Sequence, residues 1–215
     1  MLNKKKRERI IIPSGIYGIT GDNFSNGKSN FRCVKEMIDG GIKIIQYRDK
    51  LKTMKEKIKE IKEIRKLCKE KNVIFIVNDH VDVAFLVDAD GVHLGQDDMA
   101  PSDARKLLGP DKIIGVSTHS EEQGLKAYEN RDVDYIGVGP IFPTTTKDTA
   151  PVGIEYLDYV VKNLNLPFVA IGGIKEDNIE KIIERGATRI SLVSEILGAD
   201  DITYTTKKLS SFLKK

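Results

Sequence analysis

Gln46, Arg48 and Lys50 alternate with Tyr47 and Asp49, and the two-residue period of a strand sends the first three to one face. Two cations and an amide donor on one face suit a polyanion such as a phosphate or diphosphate, although a solvated sheet edge carries the same alternation. Asn78 and Asp79 close the next apolar run, and Gln96, Asp97 and Asp98 follow the one after it. Carboxylates next to cations and a substrate phosphate form surroundings that suit Mg²⁺, which keeps several waters and takes one or two protein ligands. Asp79 and Asp98 are the metal candidates. Asp97 is read as the cap of the helix that follows, a role Asp fills readily.

Ser117 closes a further apolar run but lacks a GxSxG context, which argues against a nucleophile. Beyond it, Gly139 to Asp148 combines backbone-restricting residues with Thr144, Thr145, Thr146 and Lys147, a loop able to grip an anion. Gly172 and Gly173 end one run, and Val193 and Ser194 end the last; bare N–H groups and a helix start can hold a phosphate there. Two glycines in a row also serve a tight turn. The histidines, His80, His93 and His119, share no spacing with each other or with a cysteine, so they read as structural or supporting groups and not as a zinc site.

The elements that must position these residues repeat along the chain. β-branched runs at Ile16 to Thr20, Ile42 to Tyr47, Val73 to Val77 and Gly91 to Leu94 are followed by others at Ile113 to Ser117, Tyr135 to Val138, Phe168 to Ile171 and Arg189 to Val193. Amphipathic stretches alternate with them: after Thr53, the residues Met54, Ile58, Ile61, Ile64 and Cys68 fall at three- and four-residue steps. Similar stripes run through Phe31 to Ile38, Ile154 to Val161 and Ile179 to Ile183. Eight strand-and-helix units in a chain just long enough to close on itself predict a single-domain α/β fold, a (β/α)8 barrel of the TIM type. An open doubly wound sheet is the alternative, and Gly18, Gly21 and Gly27 do not form the GxGxxG turn it usually shows. In the barrel, chemistry gathers at the C-terminal strand ends, where every polar residue named above falls.

Composition excludes more than it selects. The 215 residues carry a net charge of +3, with 40% hydrophobic and 31% charged residues, which suits one folded domain over residues 1–215 and does not by itself imply a nucleic-acid or membrane partner. Lys4 to Arg9 is read as a basic, solvated arm over residues 1–9. The apolar stretch Ile10 to Ile12 is too short for a signal peptide, and no run reaches the roughly 18 apolar residues of a spanning helix; a soluble cytoplasmic protein is expected. Cys33 and Cys68 match no metal motif and read as free, buried thiols.

Seven segments in order, "QYRDK", "VNDHVDVA", "ADGVHLGQDD", "GVSTHS", "GPIFPTTTKDTAPVG", "AIGGI" and "SLVSEI", resemble the thiamine phosphate synthase family over nearly the whole chain. The resemblance implies transfer of 4-amino-2-methyl-5-pyrimidinylmethyl from its diphosphate to the ring nitrogen of a thiazole phosphate, with Mg²⁺ as cofactor and a homodimer as the expected assembly. It implies that Gln46, Arg48, Lys50, Asn78 and Lys147 contact the diphosphate and pyrimidine, and that Asp79 and Asp98 hold the metal. It also puts Ser117 near the pyrimidine, and Thr144, Thr146, Gly173, Val193 and Ser194 at the thiazole phosphate. Arg48, Lys50, Ser117 and Lys147 are then the catalytic set. Two departures stand out: Gly21 separates Thr20 from Asp22, which is given no role, and Glu195 stands where the family has a small residue.

Rival readings make distinct demands. A thiazole tautomerase, an isomerase with a similar barrel, needs no diphosphate site and leaves Asp98 and Lys147 without a task. An aldolase or lyase using Lys50 as a Schiff base, with Arg48 depressing its pKa, leaves the acidic pair unexplained. A regulator that binds a phosphorylated ligand without turnover is the alternative from outside enzymology.

Overall fold

The β-branched runs emerge as parallel strands: β1 (Gly15–Ile19), β2 (Ile44–Tyr47), β3 (Ile74–Asn78), β4 (Gly91–Leu94), β5 (Ile113–Thr118), β6 (Tyr135–Val138), β7 (Phe168–Ile171) and β8 (Arg189–Ser191). The computed structural model describes residues 8–21, 24–144 and 150–213. Each strand pairs with the next, and β8 returns to β1 through Gly15 with Arg189 and Ile16 with Ile190, so the sheet closes into a barrel. Closure leaves no strand edge to recruit another chain. Around it lie α1 (Asn30–Asp39), α2 (Met54–Glu70), α3 (Val81–Leu86), α4 (Pro101–Leu108), α5 (Glu121–Glu129), α6 (Gly153–Asn163), α7 (Ile179–Ile183), α8 (Val193–Leu197) and α9 (Ile202–Phe212). No helix among the described residues is long and apolar enough to cross a membrane.

Alternation along the strands builds two cores. Outward residues such as Ile45 and Phe75 meet Val34, Met37, Ile64 and Leu157 from the helices, while Tyr17, Ile44, Ile76, Tyr135 and Val169 fill the barrel. The α2 stripe behaves as its spacing predicts from Ile61 to Cys68, but Met54 is exposed because it lies in the first turn, clear of the sheet. That turn is closed by a capping box: Thr53 accepts from the Glu56 N–H, and the Glu56 carboxylate accepts from the Thr53 N–H at 2.9 Å. Cys33 and Cys68 are free and buried, and burial pushes both thiols up, Cys68 to about 12.

Two expectations need correcting. Val193 and Ser194 do not end a strand: β8 stops at Ser191, and Val193 opens α8, whose first turn closes when the Ile196 N–H donates to Leu192 O at 3.1 Å. A β-branched Val reads as strand locally, and tertiary context overrides it. Of the arm read over residues 1–9, residues 1–7 lie outside the described residues, and Arg9 is not solvated. Its Nε donates to Val133 O at 3.0 Å, and its guanidinium sits 5.3 Å from the centroid of the Tyr128 ring. Just beyond, the fully buried Asp134 accepts from Ile10 N at 2.9 Å, Ile114 N at 2.9 Å and Arg105 Nη2 at 2.8 Å. This bonding pins the stretch before β1 across the N-terminal end of the barrel, where Ile12 is fully buried.

Candidate active site

At the opposite end, the strand ends and their loops surround a cavity of about 670 Å³. Gln46, Arg48 and Lys50 all face it, although β2 ends at Tyr47. Backbone wiring extends the alternation past the strand: Thr20 Oγ1 accepts from Arg48 N and donates to Arg48 O, both at 2.8 Å. The intervening side chains point the other way. Tyr47 OH donates to Glu60 Oε2 at 2.7 Å, Asn30 Nδ2 donates to Asp49 Oδ2 at 3.0 Å and to Glu60 at 3.1 Å, and Lys52 Nζ reaches Glu60 at 2.6 Å. Asp49 Oδ1 also accepts the N–H groups of Leu51 and Lys52. The turn that carries Arg48 and Lys50 is thus bolted to α1 and α2 from behind.

Asp79 and Asp98 enter the cavity from the ends of β3 and β4. Asp79 has φ of 62°, a left-handed conformation that Asp and Asn tolerate better than other side chains, and its N–H donates to His93 O at 2.9 Å. Burial raises its carboxyl above the ordinary range, the facing Asp98 carboxylate adds to the rise, and Lys50 opposes it. Asp98 is steadied by the Gly95 N–H at 2.6 Å. Two carboxylates held face to face suit a divalent cation that relieves their repulsion. No group of three or more His, Cys, Asp or Glu side chains among the described residues forms a complete metal cage, so such a cation would take its remaining ligands from water or substrate. Asp97 faces the cavity too and caps nothing, because α4 starts only at Pro101 with Ala100 as its N-cap.

The glycine corner lies across the mouth. Gly172 has φ of 96° and Gly173 of 64°; a Cβ on Gly172 would sit 2.3 Å from Pro140 Cα, and one on Gly173 would sit 2.4 Å from Pro143 O. Both glycines therefore let the loop after β6 approach β7, where Ile141 N donates to Ile171 O at 2.9 Å and Phe142 N to Gly172 O at 3.0 Å. The Gly139–Pro140 peptide is cis, and His119 Nδ1 bonds Gly139 O. Thr144, Gly172 and Val193 line the cavity. Gly173 and Ser194 sit one residue beyond the lining, and the first N–H groups of α8 have no acceptor within their own helix. Thr146 and Lys147 lie outside the described residues.

Sequence reasoning missed the floor. Gln46 Nε2 donates to Tyr17 OH at 3.0 Å, Tyr17 OH and Tyr135 OH are 2.7 Å apart, Tyr135 OH lies 2.9 Å from His93 Nδ1, and His93 Nε2 lies 3.0 Å from Ser117 Oγ. Glycines make room for these rings: a Cβ at Gly115 would fall 2.1 Å from Tyr135 Cζ, and one at Gly137 would fall 3.4 Å from His93 Cε1. Burial raises both phenols well above the ordinary tyrosine value. Tyrosines within apolar strands read as core, and the only sequence signal was the period of two that turns Tyr17 and Tyr135 inward.

The arrangement joins a cationic and acidic side near β2 to β4 with a corner of open backbone near β7 and α8, over a polar floor. It can hold two anionic groups and one flat polar ring between them. A family model described as thiamine monophosphate synthase matches residues 16–196. The chain is 53% identical over 207 residues to the thiamine-phosphate synthase of Pelotomaculum thermopropionicum, covering 95% of this chain and 94% of that protein. It is 49% identical over 216 residues to that of Caldicellulosiruptor saccharolyticus, covering 100% and 97%. Among solved structures, thiamine phosphate pyrophosphorylase from Pyrococcus furiosus superposes with a TM-score of 0.83 and 36% identity, over 93% of this chain and 95% of that one.

Proposed function

This chain belongs to the thiamine monophosphate synthase family, and from that premise we infer how its cavity carries out the transfer that makes thiamine phosphate. The chain is a transferase that releases diphosphate. In our reading the carbon–oxygen bond of the pyrimidinylmethyl diphosphate breaks first. The electron pair leaves with diphosphate, and the aminopyrimidine spreads the positive charge left on its methylene. The lone pair of the thiazole ring nitrogen then forms the new carbon–nitrogen bond. No protein nucleophile is required, which agrees with a floor where Ser117 pairs with His93 but His93 Nδ1 meets the neutral Tyr135 hydroxyl in the place where a triad has a carboxylate.

The observation that carries this reading is the convergence of Arg48 and Lys50 with the facing pair Asp79 and Asp98 on one side of one cavity. Arg48 and Lys50 bind the diphosphate and offset the charge that grows on it. Asp79 and Asp98 fit Mg²⁺, the ion we assign to them, through two carboxylates that lack mutual neutralisation; when bound, that ion would neutralise diphosphate charge and make it a better leaving group. Gln46, Asn78 and Ser117 hold the pyrimidine. Thr144, Gly173, Val193 and Ser194 take the thiazole phosphate; by the family resemblance Thr146 joins them and Lys147 contacts the diphosphate, both outside the described residues. Holding the two rings in line supplies much of the acceleration.

The test is direct. Incubated with the pyrimidine diphosphate and the thiazole phosphate, the protein forms thiamine phosphate and diphosphate, detected by mass, and stops when Mg²⁺ is chelated. Metal-independent product would remove the ion from the reading. A thiazole substrate that changes only its tautomer would make the protein an isomerase, and no change in either substrate would make it a binding protein.

A further inference from the structure

Five side chains from five strands, Gln46, Tyr17, Tyr135, His93 and Ser117, form one line of hydrogen bonds across the cavity floor. Resting on the reading above, in which Gln46 and Ser117 touch the pyrimidine, we propose that Tyr17, Tyr135 and His93 are positioning residues that set which hydrogen-bonding group each end presents to that ring.

The reason is proton counting. The Gln46 amide nitrogen only donates, so the Tyr17 oxygen receives its hydrogen at 3.0 Å. Tyr17 has one proton of its own, and it goes to Tyr135 at 2.7 Å. Tyr135 passes its proton to His93 Nδ1 at 2.9 Å, which makes that nitrogen an acceptor. A neutral His93 then carries its hydrogen on Nε2 and donates it to Ser117 Oγ at 3.0 Å. Run in the other direction, the chain would make the Tyr17 oxygen accept from both Gln46 and Tyr135. Its own proton would be left without a partner along this line of side chains, on a residue only 2% exposed, which folded proteins avoid. Both hydroxyls stay protonated, since burial disfavours the phenolates.

The wiring has one consequence at each end. In either direction Gln46 gives one N–H to Tyr17, which fixes its amide plane and leaves the carbonyl oxygen as an acceptor for the ligand. Ser117 accepts from His93 and keeps its own O–H to donate. An aminopyrimidine carries an amine donor and ring-nitrogen acceptors, and the two ends of the chain are complementary to that pair. A ring that bears a carbonyl in place of the amine would set that oxygen against an acceptor at Gln46 and is expected to bind more weakly.

Nuclear magnetic resonance of the ¹⁵N-histidine-labelled protein tests the direction without turnover, and the chain has just 3 histidines to assign. The expected result is a neutral His93 with its hydrogen on Nε2; a hydrogen on Nδ1 overturns the proposal. Tyr135→Phe is expected to mix the two tautomers and to raise the KM for the pyrimidine diphosphate about tenfold, with the KM for the thiazole phosphate unchanged. Tyr17→Phe is expected to raise the same KM and leave the His93 tautomer in place. Equal rises in both KM values, or an unchanged pyrimidine KM in both variants, would overturn it. If the parent protein makes no thiamine phosphate, the transferase reading fails, while the tautomer still decides the direction of the chain.

Discussion

Asp79 has unusual demands placed on it: a left-handed backbone, partial burial and a second carboxylate opposite. Its raised carboxyl value means that the fold binds the proton more tightly than the unfolded chain does. The stability linked to that proton is present at low pH and is lost as pH rises through the folded value. Asp79→Asn keeps the tolerated backbone and removes the repulsion. At neutral pH without added metal it should raise Tm by about 1–2 °C, while thiamine phosphate formation falls about a hundredfold or more. A lower Tm in a thermal melt would sink the repulsion argument. The cationic and acidic residues were legible because a period of two and a shared strand end are local facts. The Tyr17–Tyr135 contact was not, because it joins residues 118 positions apart and depends on which inward side chains share a level of the barrel.

Strands were easier to read than helices. A run such as Ile74–Asn78 announces itself by β-branched residues, and the barrel followed from their number and spacing. The five-residue α8 is too short to show a period, and its leading Val193 imitates a strand. Packing inside β5 was also invisible, since Gly115 looks like a weak point in a strand until Tyr135 occupies the space beside it. Gly115→Ala puts a methyl group where the Tyr135 ring lies 2.1 Å away. The ring must shift at a cost of about 1–3 kcal/mol, so Tm should fall by roughly 2–10 °C. A melt that moves by less than about 1 °C would show that β6 has slack.

The two ends of the barrel divide the labour of the molecule. The C-terminal end holds the cavity; the N-terminal end is closed by Ile12 and by the buried Asp134, which ties Arg105, Ile10 and Ile114 together. Asp134→Ala takes from Arg105 its nearer carboxylate, leaving Asp132 at 3.9 Å, and strips two N–H groups of their acceptor, so it should cost about 3–5 kcal/mol in urea unfolding. The kcat/KM of the folded fraction should stay as it was, because the substitution lies at the far end from the substrates. A loss below about 1 kcal/mol would mean that water reaches Arg105 once the carboxylate is gone.

The seam of the barrel joins the first strand to the last, through Gly15 with Arg189 and Ile16 with Ile190. During translation, a nascent chain that has reached only β7 therefore carries β1 with one open edge, and β7 with another, for as long as the ribosome takes to deliver β8. Exposure to misassembly is greatest in that interval, and it ends when Arg189 leaves the exit tunnel and the ring can close.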